Sequence, residues 1–212
     1  MSASELPIGA SLLDRVPVVP VVVVEDLAQA VPVARALVAG GLPVIELTLR
    51  TPVALDAIRA IADEVPEILV GAGTVLTPGH AEQAHDAGAQ FLVSPGSTPS
   101  LLAGMAQTGL PFLPGTATVS EVLAALEAGC REMKFFPAEA AGGAPYLKSV
   151  AGPLPQARFC PTGGITPSSA PGYLALPNVG CVGGSWITPA DALASRDWER
   201  VSKVAAEAAS LA

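Results

Sequence analysis

Short apolar runs alternate with longer amphipathic segments along nearly the whole chain. The first run, Val18–Val24, is valine throughout apart from Pro20. Continuous apolar runs of about four to eight residues are typical of parallel strands buried on both faces. Because amphipathic, alanine-rich segments follow most of these runs, the pattern predicts repeated β/α units.

The pattern contains eight predicted strands. Eight β/α units without a long linker predict an α/β fold, a closed (β/α)8 TIM barrel, with residues 1–212 as one domain. A short helix is expected before strand one and a closing helix after Asp197. A doubly wound open sheet is the alternative, because alternation alone does not distinguish the two folds. The predicted strands are Val18–Val24, Val44–Leu49, Ile68–Val70, Phe91–Ser94, Phe112–Leu113, a strand ending before Pro137, Arg158–Cys160 and Val179–Val182.

Several helix ends carry recognisable signals. Thr51-Pro52 and Thr77-Pro78 each place a capping threonine before a proline at the first helical position. Thr118 and Glu121 have the spacing of a capping box. Glycine after alanine predicts left-handed helix caps at Gly40, Gly88 and Gly129.

The composition favours a buried core and argues against polyanionic partners. Half of the residues are hydrophobic, 14% are charged, and the net charge is −8. Without a basic cluster, binding to nucleic acid or to an anionic membrane is not expected. The apolar run before Glu25 is too short to span a bilayer, and no basic segment precedes it as in a signal peptide. We therefore expect a cytoplasmic location.

The cysteines and histidines do not form a metal-binding pattern. Cys130, Cys160 and Cys181 are odd in number and lack Cys-x-x-Cys spacing, which fits reduced thiols. His80 and His85 lack the i, i+4 spacing that places two ligands on one helix face. Neither a metal nor a cofactor is expected.

Lys134 is the strongest candidate for chemistry. It is one of three lysines and lies in a predicted strand between Met133 and Phe135. Burial of a lysine amine disfavours the charged form and lowers its pKa, and a neutral amine attacks carbonyl carbon in Schiff-base chemistry. The alternative is an edge-strand lysine whose side chain reaches solvent.

Glu46 is a second polar residue in an apolar strand. Side chains alternate along a strand, so Glu46, Thr48 and Arg50 are expected to share one face. A buried carboxyl is costly unless it is paired or used, and it is a good proton carrier for a Schiff-base enzyme. Strands two and six lie opposite each other in a barrel, so Glu46 and Lys134 would meet at one substrate. The alternative is a structural pair between Glu46 and Arg50 or another cation.

Two glycine pairs predict anion binding. Thr162-Gly163-Gly164-Ile165 and Gly183-Gly184-Ser185-Trp186 follow strands seven and eight, where barrel enzymes often hold phosphate. Glycine lets backbone N–H groups approach a phosphate closely. Arg50 offers a bidentate fork to a carboxylate, near Gly73-Thr74. The alternatives are a solvent-facing arginine and ordinary turns.

These residues predict a barrel enzyme with an amine nucleophile, a carboxyl acid/base and a phosphorylated, anionic ketone as substrate. Two alternatives stay open. One is a phosphate-binding barrel isomerase or epimerase, which needs no covalent lysine. The other is a non-catalytic phospho-sugar-binding barrel, in which Lys134 and Glu46 are only a buried ion pair.

Five motifs together resemble those of the aldolases that act on 2-keto-3-deoxy-6-phosphogluconate (KDPG) and 4-hydroxy-2-oxoglutarate (KHG), a class I family. The resemblance runs from about Leu12 to Leu211 in unbroken order. It implies a (β/α)8 barrel, a homotrimer without metal or cofactor, and reversible cleavage of KDPG to pyruvate and D-glyceraldehyde 3-phosphate in the Entner–Doudoroff pathway. KHG would give pyruvate and glyoxylate, and a 6-phosphogalactonate-type aldolase is a further alternative. The motifs are Glu46–Arg50, Gly71–Val75, Lys134–Glu139, Pro161–Ile165 and Gly183–Trp186.

The resemblance also implies a role for each site residue. Lys134 would form the Schiff base, and Glu46 would move protons, including that of the C4 hydroxyl. Arg50 and Thr74 would hold the pyruvyl carboxylate. The residues implied at the phosphate end are Thr162, Gly163, Gly164, Gly184 and Ser185, and those implied to line the pocket are Pro95 and Phe136.

Overall fold

Parallel strands and α-helices alternate along residues 11–211, which the computed structural model describes. The strands are β1 (Val18–Val22), β2 (Val44–Thr48), β3 (Leu69–Gly73), β4 (Phe91–Val93), β5 (Phe112–Leu113), β6 (Gly115–Thr116), β7 (Glu132–Phe135), β8 (Arg158–Pro161) and β9 (Val182–Gly184). The helices are α1 (Ala30–Ala39), α2 (Ala54–Glu64), α3 (Pro78–Asp86), α4 (Pro99–Gln107), α5 (Val119–Glu127), α6 (Gly143–Ala151), α7 (Ala170–Leu174), α8 (Ala190–Ser195) and α9 (Trp198–Ala209). Short 3₁₀ helices lie at Leu12–Asp14 and Leu27–Gln29.

The strands form a curled parallel sheet, which confirms the predicted α/β class. Six strands pair in the order β5-β4-β3-β2-β1-β9, and three pair in the order β6-β7-β8. Every one of these pairings is parallel. Isolated bridges between Phe159 and Val179 and between Thr162 and Gly183 connect the β8 and β9 segments. Only Pro114 separates β5 from β6 along the chain.

The valine-rich first strand is buried on both faces, as are β2 and β3. The largest differences from the predicted strand boundaries are in the third strand and in the last one. The third strand continues past Val70 to Gly73, because its glycines stay in register with β2, Gly71 opposite Glu46 and Gly73 opposite Thr48. The last strand is Val182–Gly184, whereas Val179 makes only a single bridge.

Most of the predicted helix caps are confirmed. Thr77 and Thr118 accept hydrogen bonds from the third residue of their helices, and Glu121 completes the capping box. The prediction for Thr51 is wrong, because α2 begins at Ala54 and the Thr51 hydroxyl instead donates to the Val24 carbonyl at 2.7 Å. After α1 the left-handed residue is Gly41 rather than Gly40, whereas Gly88 and Gly129 have the expected positive φ.

An ionic cluster ties the 3₁₀ helix at Leu12–Asp14 to the sheet. The Arg158 guanidinium of β8 donates to both carboxylate oxygens of Asp14 and to Glu132 Oε1. The hydrogen bond from Arg158 lowers the pKa of Asp14. These contacts hold the start of β1 beside β8 and β9. Along residues 11–211, no helix is both long and apolar enough to cross a membrane.

Candidate active site

Lys134 and Glu46 meet inside the curled sheet. Lys134 lies on β7 and Glu46 on β2, and their side chains are 5% and 3% exposed. Lys134 Nζ donates to Glu46 Oε1 at 3.0 Å. The carboxylate therefore pairs with the lysine and not with Arg50, and the lysine does not reach solvent.

Gly73 on β3 makes room for the Glu46 carboxylate, and Gly71 makes room for the Phe91 ring. A Cβ atom at Gly73 would lie 2.2 Å from Glu46 Oε1, and one at Gly71 would lie 2.4 Å from the Phe91 ring. The Glu46 side chain thus lies against Gly73, which has no side chain to exclude it. The sequence did not predict the roles of Gly71 and Gly73, because the Gly-Ala-Gly-Thr motif indicated a loop rather than the end of a strand.

Gly73→Ala is expected to lower kcat for the cleavage reaction proposed below by about 100-fold, because a displacement of a catalytic group by about 1 Å has effects of that size. The added methyl group would overlap the movable end of the Glu46 side chain, so the carboxylate shifts away from Lys134. Steady-state kinetics and thermal unfolding measure the effect. Gly152→Ala is the matched control, because a Cβ there meets nothing within 4 Å. A Gly73→Ala variant with the wild-type kcat would contradict this account of the carboxylate.

Phe136 lies close to the lysine, and Pro95 lies against Gly115 on the neighbouring strand. The Phe136 ring centroid is 5.5 Å from Lys134 Nζ, within the range of a cation–π contact. Gly115, the β6 partner of Lys134, lies against Pro95, and a Cβ atom there would lie 2.2 Å from the Pro95 carbonyl carbon. Of the two residues predicted to line the pocket, Phe136 directly follows the Lys134 strand, and Pro95 lies against the β6 residue that pairs with Lys134.

Arg50 and Thr74 contact each other where β2 and β3 end. Arg50 Nε donates to Thr74 Oγ1 at 3.1 Å, and the arginine is exposed. Thr74 has φ +59°, a conformation that is strained for a β-branched residue. Thr48 is buried and its hydroxyl donates to the Val22 carbonyl at 3.2 Å. Arg50 and Thr74 thus present a cationic donor and a hydroxyl donor at the strand ends. The Thr48 hydroxyl is instead used to connect β2 to β1.

The two glycine motifs lie side by side. Thr162 bridges to Gly183, where a Cβ atom would lie 2.2 Å from Thr162 Oγ1. A Cβ atom at Gly184 would lie 2.7 Å from the Trp186 ring, so this position has no room for a side chain. Ser185 and Gly164 are exposed. The structure thus places all of the residues predicted for the phosphate end in two neighbouring segments, at the ends of β8 and β9 and in the loops that follow them.

The interior beside Lys134 also contains Cys160, its register partner on β8. Cys160 Sγ lies 3.9 Å from Thr162 Oγ1. A hydrogen bond with Cys160, together with burial, raises the pKa of the Cys181 thiol well above its ordinary value of 9.0. Both side chains are buried, and both thiols are free. Within residues 11–211, His, Cys, Asp and Glu side chains form no group of three or more that is arranged to hold a metal ion.

Known proteins resemble this chain along almost all of its length. A family model described as KDPG and KHG aldolase matches residues 10–204. The KHG/KDPG aldolase of Escherichia coli (strain K12) is 56% identical over 198 residues, which cover 93% of this chain and 93% of that protein.

Solved structures of such enzymes have the same fold. The KDPG aldolase of Legionella pneumophila, with pyruvate captured at low pH as a covalent carbinolamine intermediate, has a TM-score of 0.92 and 46% identity, covering 93% of this chain and 96% of that one. The KDPG aldolase of Zymomonas mobilis ZM4 with 3-phosphoglycerate has a TM-score of 0.90 and 50% identity, covering 94% of both chains. The chain belongs to the KDPG and KHG aldolase family.

Proposed function

We propose that this protein is a class I aldolase, a lyase that reversibly cleaves KDPG to pyruvate and D-glyceraldehyde 3-phosphate. It would also cleave KHG to pyruvate and glyoxylate. The observation that carries the proposal is the buried hydrogen bond of 3.0 Å from Lys134 Nζ to Glu46 Oε1. The names of the relatives support the choice of substrates.

The first step is proton transfer along this hydrogen bond. When the Lys134 ammonium gives a proton to the Glu46 carboxylate, the neutral amine attacks the C2 ketone of the substrate. One proton of the attacking nitrogen moves to the ketone oxygen to form a carbinolamine. Glu46 then returns its proton to that oxygen, which leaves as water while the nitrogen lone pair forms the C=N bond of the protonated Schiff base, and Glu46 is again a carboxylate. The carbinolamine captured in the L. pneumophila relative supports this order.

Glu46 then acts as the base for cleavage. Its carboxylate accepts the proton of the C4 hydroxyl, the C3–C4 bond breaks, and its electron pair moves into the iminium group. The C4 oxygen becomes the carbonyl of the departing aldehyde. The enamine that remains on Lys134 takes a proton at C3, and water hydrolyses the resulting Schiff base to pyruvate and free lysine.

The remaining residues hold the two ends of the substrate. Arg50 and Thr74 bind the pyruvyl carboxylate, supported by their mutual contact of 3.1 Å at the strand ends. The 3-phosphoglycerate in the Z. mobilis relative supports binding of a phosphorylated acid, and the neighbouring glycine motifs support these loops as the place for its phosphate. We assign Thr162, Gly163, Gly164, Gly184 and Ser185 to the phosphate and Pro95 and Phe136 to the pocket wall.

The barrel, the oligomeric state and the pathway that we propose are those that the family resemblance implies. We propose a closed (β/α)8 barrel that forms one domain over residues 1–212, supported by the β8–β9 bridges and by the short break at Pro114. We also propose a cytoplasmic homotrimer that works in the Entner–Doudoroff pathway. Val119 and Leu123 on α5 are 42% and 45% exposed and offer apolar surface to a second copy. Light scattering coupled to gel filtration would measure the oligomeric state.

Substrate kinetics test the proposed function. We expect pyruvate release from KDPG with a kcat/KM at least about tenfold above that for KHG, because the phosphate adds binding contacts that KHG lacks. The galactonate epimer of KDPG differs only at C4 and serves as the matched control for stereochemistry. A protein that releases pyruvate from none of the three substrates would contradict the proposal.

A further inference from the structure

The loop after β8 has two consecutive residues in the left-handed region, Gly163 with φ +104° and Gly164 with φ +80°. Glycine adopts this conformation without steric cost. Two neighbouring glycines, however, have no side chains that fix the loop from within. The shape of the loop therefore depends on what packs against it.

The segment after β7 packs directly on this loop. The Ala138 N–H donates to the Thr162 carbonyl at 2.8 Å, and the Glu139 N–H donates to the Gly163 carbonyl at 3.1 Å. The Glu139 side chain lies across Gly164, where a Cβ atom would be 2.8 Å from Glu139 Cγ. The chain that leaves the Lys134 strand thus covers the glycine loop with the stem of one glutamate.

Tyr173 holds the carboxylate end of that glutamate. Its hydroxyl group donates to Glu139 Oε1 at 2.8 Å, and the tyrosine is only 2% exposed on α7. Burial and the neighbouring carboxylate of Glu139 raise the pKa of the phenol, which therefore remains a donor at neutral pH. A Cβ atom at Gly143, where α6 begins, would lie 3.2 Å from the hydroxyl oxygen, so the contact is tightly enclosed.

From this geometry we infer that Glu139 and Tyr173 are positioning residues that fix the Gly163-Gly164 loop for binding the substrate phosphate, an inference that rests on the proposed function. Neither residue touches the Lys134–Glu46 pair in the hydrogen-bond network. Loss of their hydrogen bond should therefore weaken binding of the phosphate end and leave bond cleavage itself intact. Substrates without a phosphate should be insensitive to it.

Tyr173→Phe tests this inference, because it removes one hydroxyl group and keeps the ring. We expect the KM for KDPG to rise about tenfold, as for loss of a hydrogen bond to a charged group. The kcat for KDPG and both constants for KHG should stay within about twofold. The inhibition constant of inorganic phosphate should rise with the KM for KDPG, which gives a readout that does not depend on cleavage.

Two further comparisons separate positioning from general damage. Tyr146→Phe is the matched control, since Tyr146 is the other of the two tyrosines and stacks on Phe135 at 5.2 Å. Tyr146→Phe should leave the KM and the kcat for both KDPG and KHG unchanged. At Glu139, glutamine keeps an acceptor for the Tyr173 hydroxyl and alanine does not. The KM for KDPG should therefore rise in Glu139→Ala and stay near the wild-type value in Glu139→Gln. Because Glu139 is exposed, these two variants test the same hydrogen bond even if Tyr173→Phe unfolds.

Equal increases in KM for KDPG and KHG, or an unchanged KM for KDPG in both Tyr173→Phe and Glu139→Ala, would overturn the inference. A wild-type protein that cleaves neither substrate would instead contradict the proposed function. In that event the dissociation constant of inorganic phosphate, measured by calorimetry on the same variants, decides the inference alone. A weakening in Tyr173→Phe supports it, and unchanged affinity overturns it.

Discussion

Lys134→Arg is expected to lower kcat/KM for KDPG by at least about 10,000-fold, because it removes the nucleophile of the covalent mechanism. An arginine guanidinium keeps its proton in proteins and does not attack a ketone. It does keep the positive charge that the buried Glu46 carboxylate requires. Replacement by a neutral residue would leave that carboxylate without its partner, at a cost of about 3–5 kcal/mol in stability.

The loss of activity in Lys134→Arg is measured as pyruvate release, with circular dichroism to establish that the variant is folded. Lys148→Arg is the matched control, because Lys148 is exposed on α6. We expect it to keep the wild-type rate. Unchanged turnover in Lys134→Arg would rule out Lys134 as the nucleophile.

Glu46→Gln is expected to lower kcat for KDPG by about 100- to 10,000-fold, which is the range for removal of a general acid or base. A glutamine carbonyl still accepts the hydrogen bond that Lys134 Nζ donates at 3.0 Å in the wild type, so the pocket keeps its shape. It has no proton to exchange with the lysine or with the C4 hydroxyl. The Schiff base should therefore still form, although more slowly, while cleavage of the C3–C4 bond becomes rate-limiting.

The two stages are separated by measuring borohydride trapping with pyruvate and cleavage of KDPG on the same Glu46→Gln preparation. The Glu46→Gln variant should still form the borohydride-reduced pyruvate adduct although it has almost no cleavage activity. Glu64→Gln is a matched control on the surface of α2, where the side chain is 57% exposed. A Glu46→Gln variant that cleaves KDPG at the wild-type rate would remove this residue from the mechanism.

The contact between Lys134 and Glu46 could be predicted because each charged residue lies between two apolar neighbours within a strand. Lys134 lies among Met133 and Phe135, and Glu46 lies between Ile45 and Leu47. A buried charge in such a strand needs a partner of opposite sign, and a curled parallel sheet brings strands that are distant in the sequence together. The alternation of apolar runs with amphipathic segments predicted the strands. In the predicted barrel the strands of Glu46 and Lys134 lie opposite each other, so these two residues were expected to meet.

The room for the Glu46 side chain, and the contacts of residues around the catalytic pair, could not be predicted in the same way. The sequence around Gly71 and Gly73 predicts a loop, because the role of Gly73 in admitting the Glu46 side chain depends on the register of β3 with β2. Glu139 and Tyr173 are separated by 34 positions in the chain and join only when α7 packs beside the β7 segment. Nothing in the local sequence pairs them.

Thr51 illustrates a local signal that a tertiary contact overrides. The threonine–proline pair has the sequence of a helix start, yet the Thr51 hydroxyl donates to the Val24 carbonyl at the end of the neighbouring β1 segment. Because that hydroxyl is used between two strand ends, the helix begins later, at Ala54. The same signal at Thr77 has no such competing partner in the hydrogen bonds of the described chain and caps its helix.

Reductive trapping with pyruvate is the most direct test of the central claim that Lys134 is the Schiff-base lysine. The protein is incubated with pyruvate and sodium borohydride, digested, and each of its three lysines is examined by mass spectrometry. We expect a reduced pyruvyl adduct on Lys134, and none on Lys148 or Lys203. Absence of an adduct on Lys134 under conditions in which the enzyme cleaves KDPG would contradict the account.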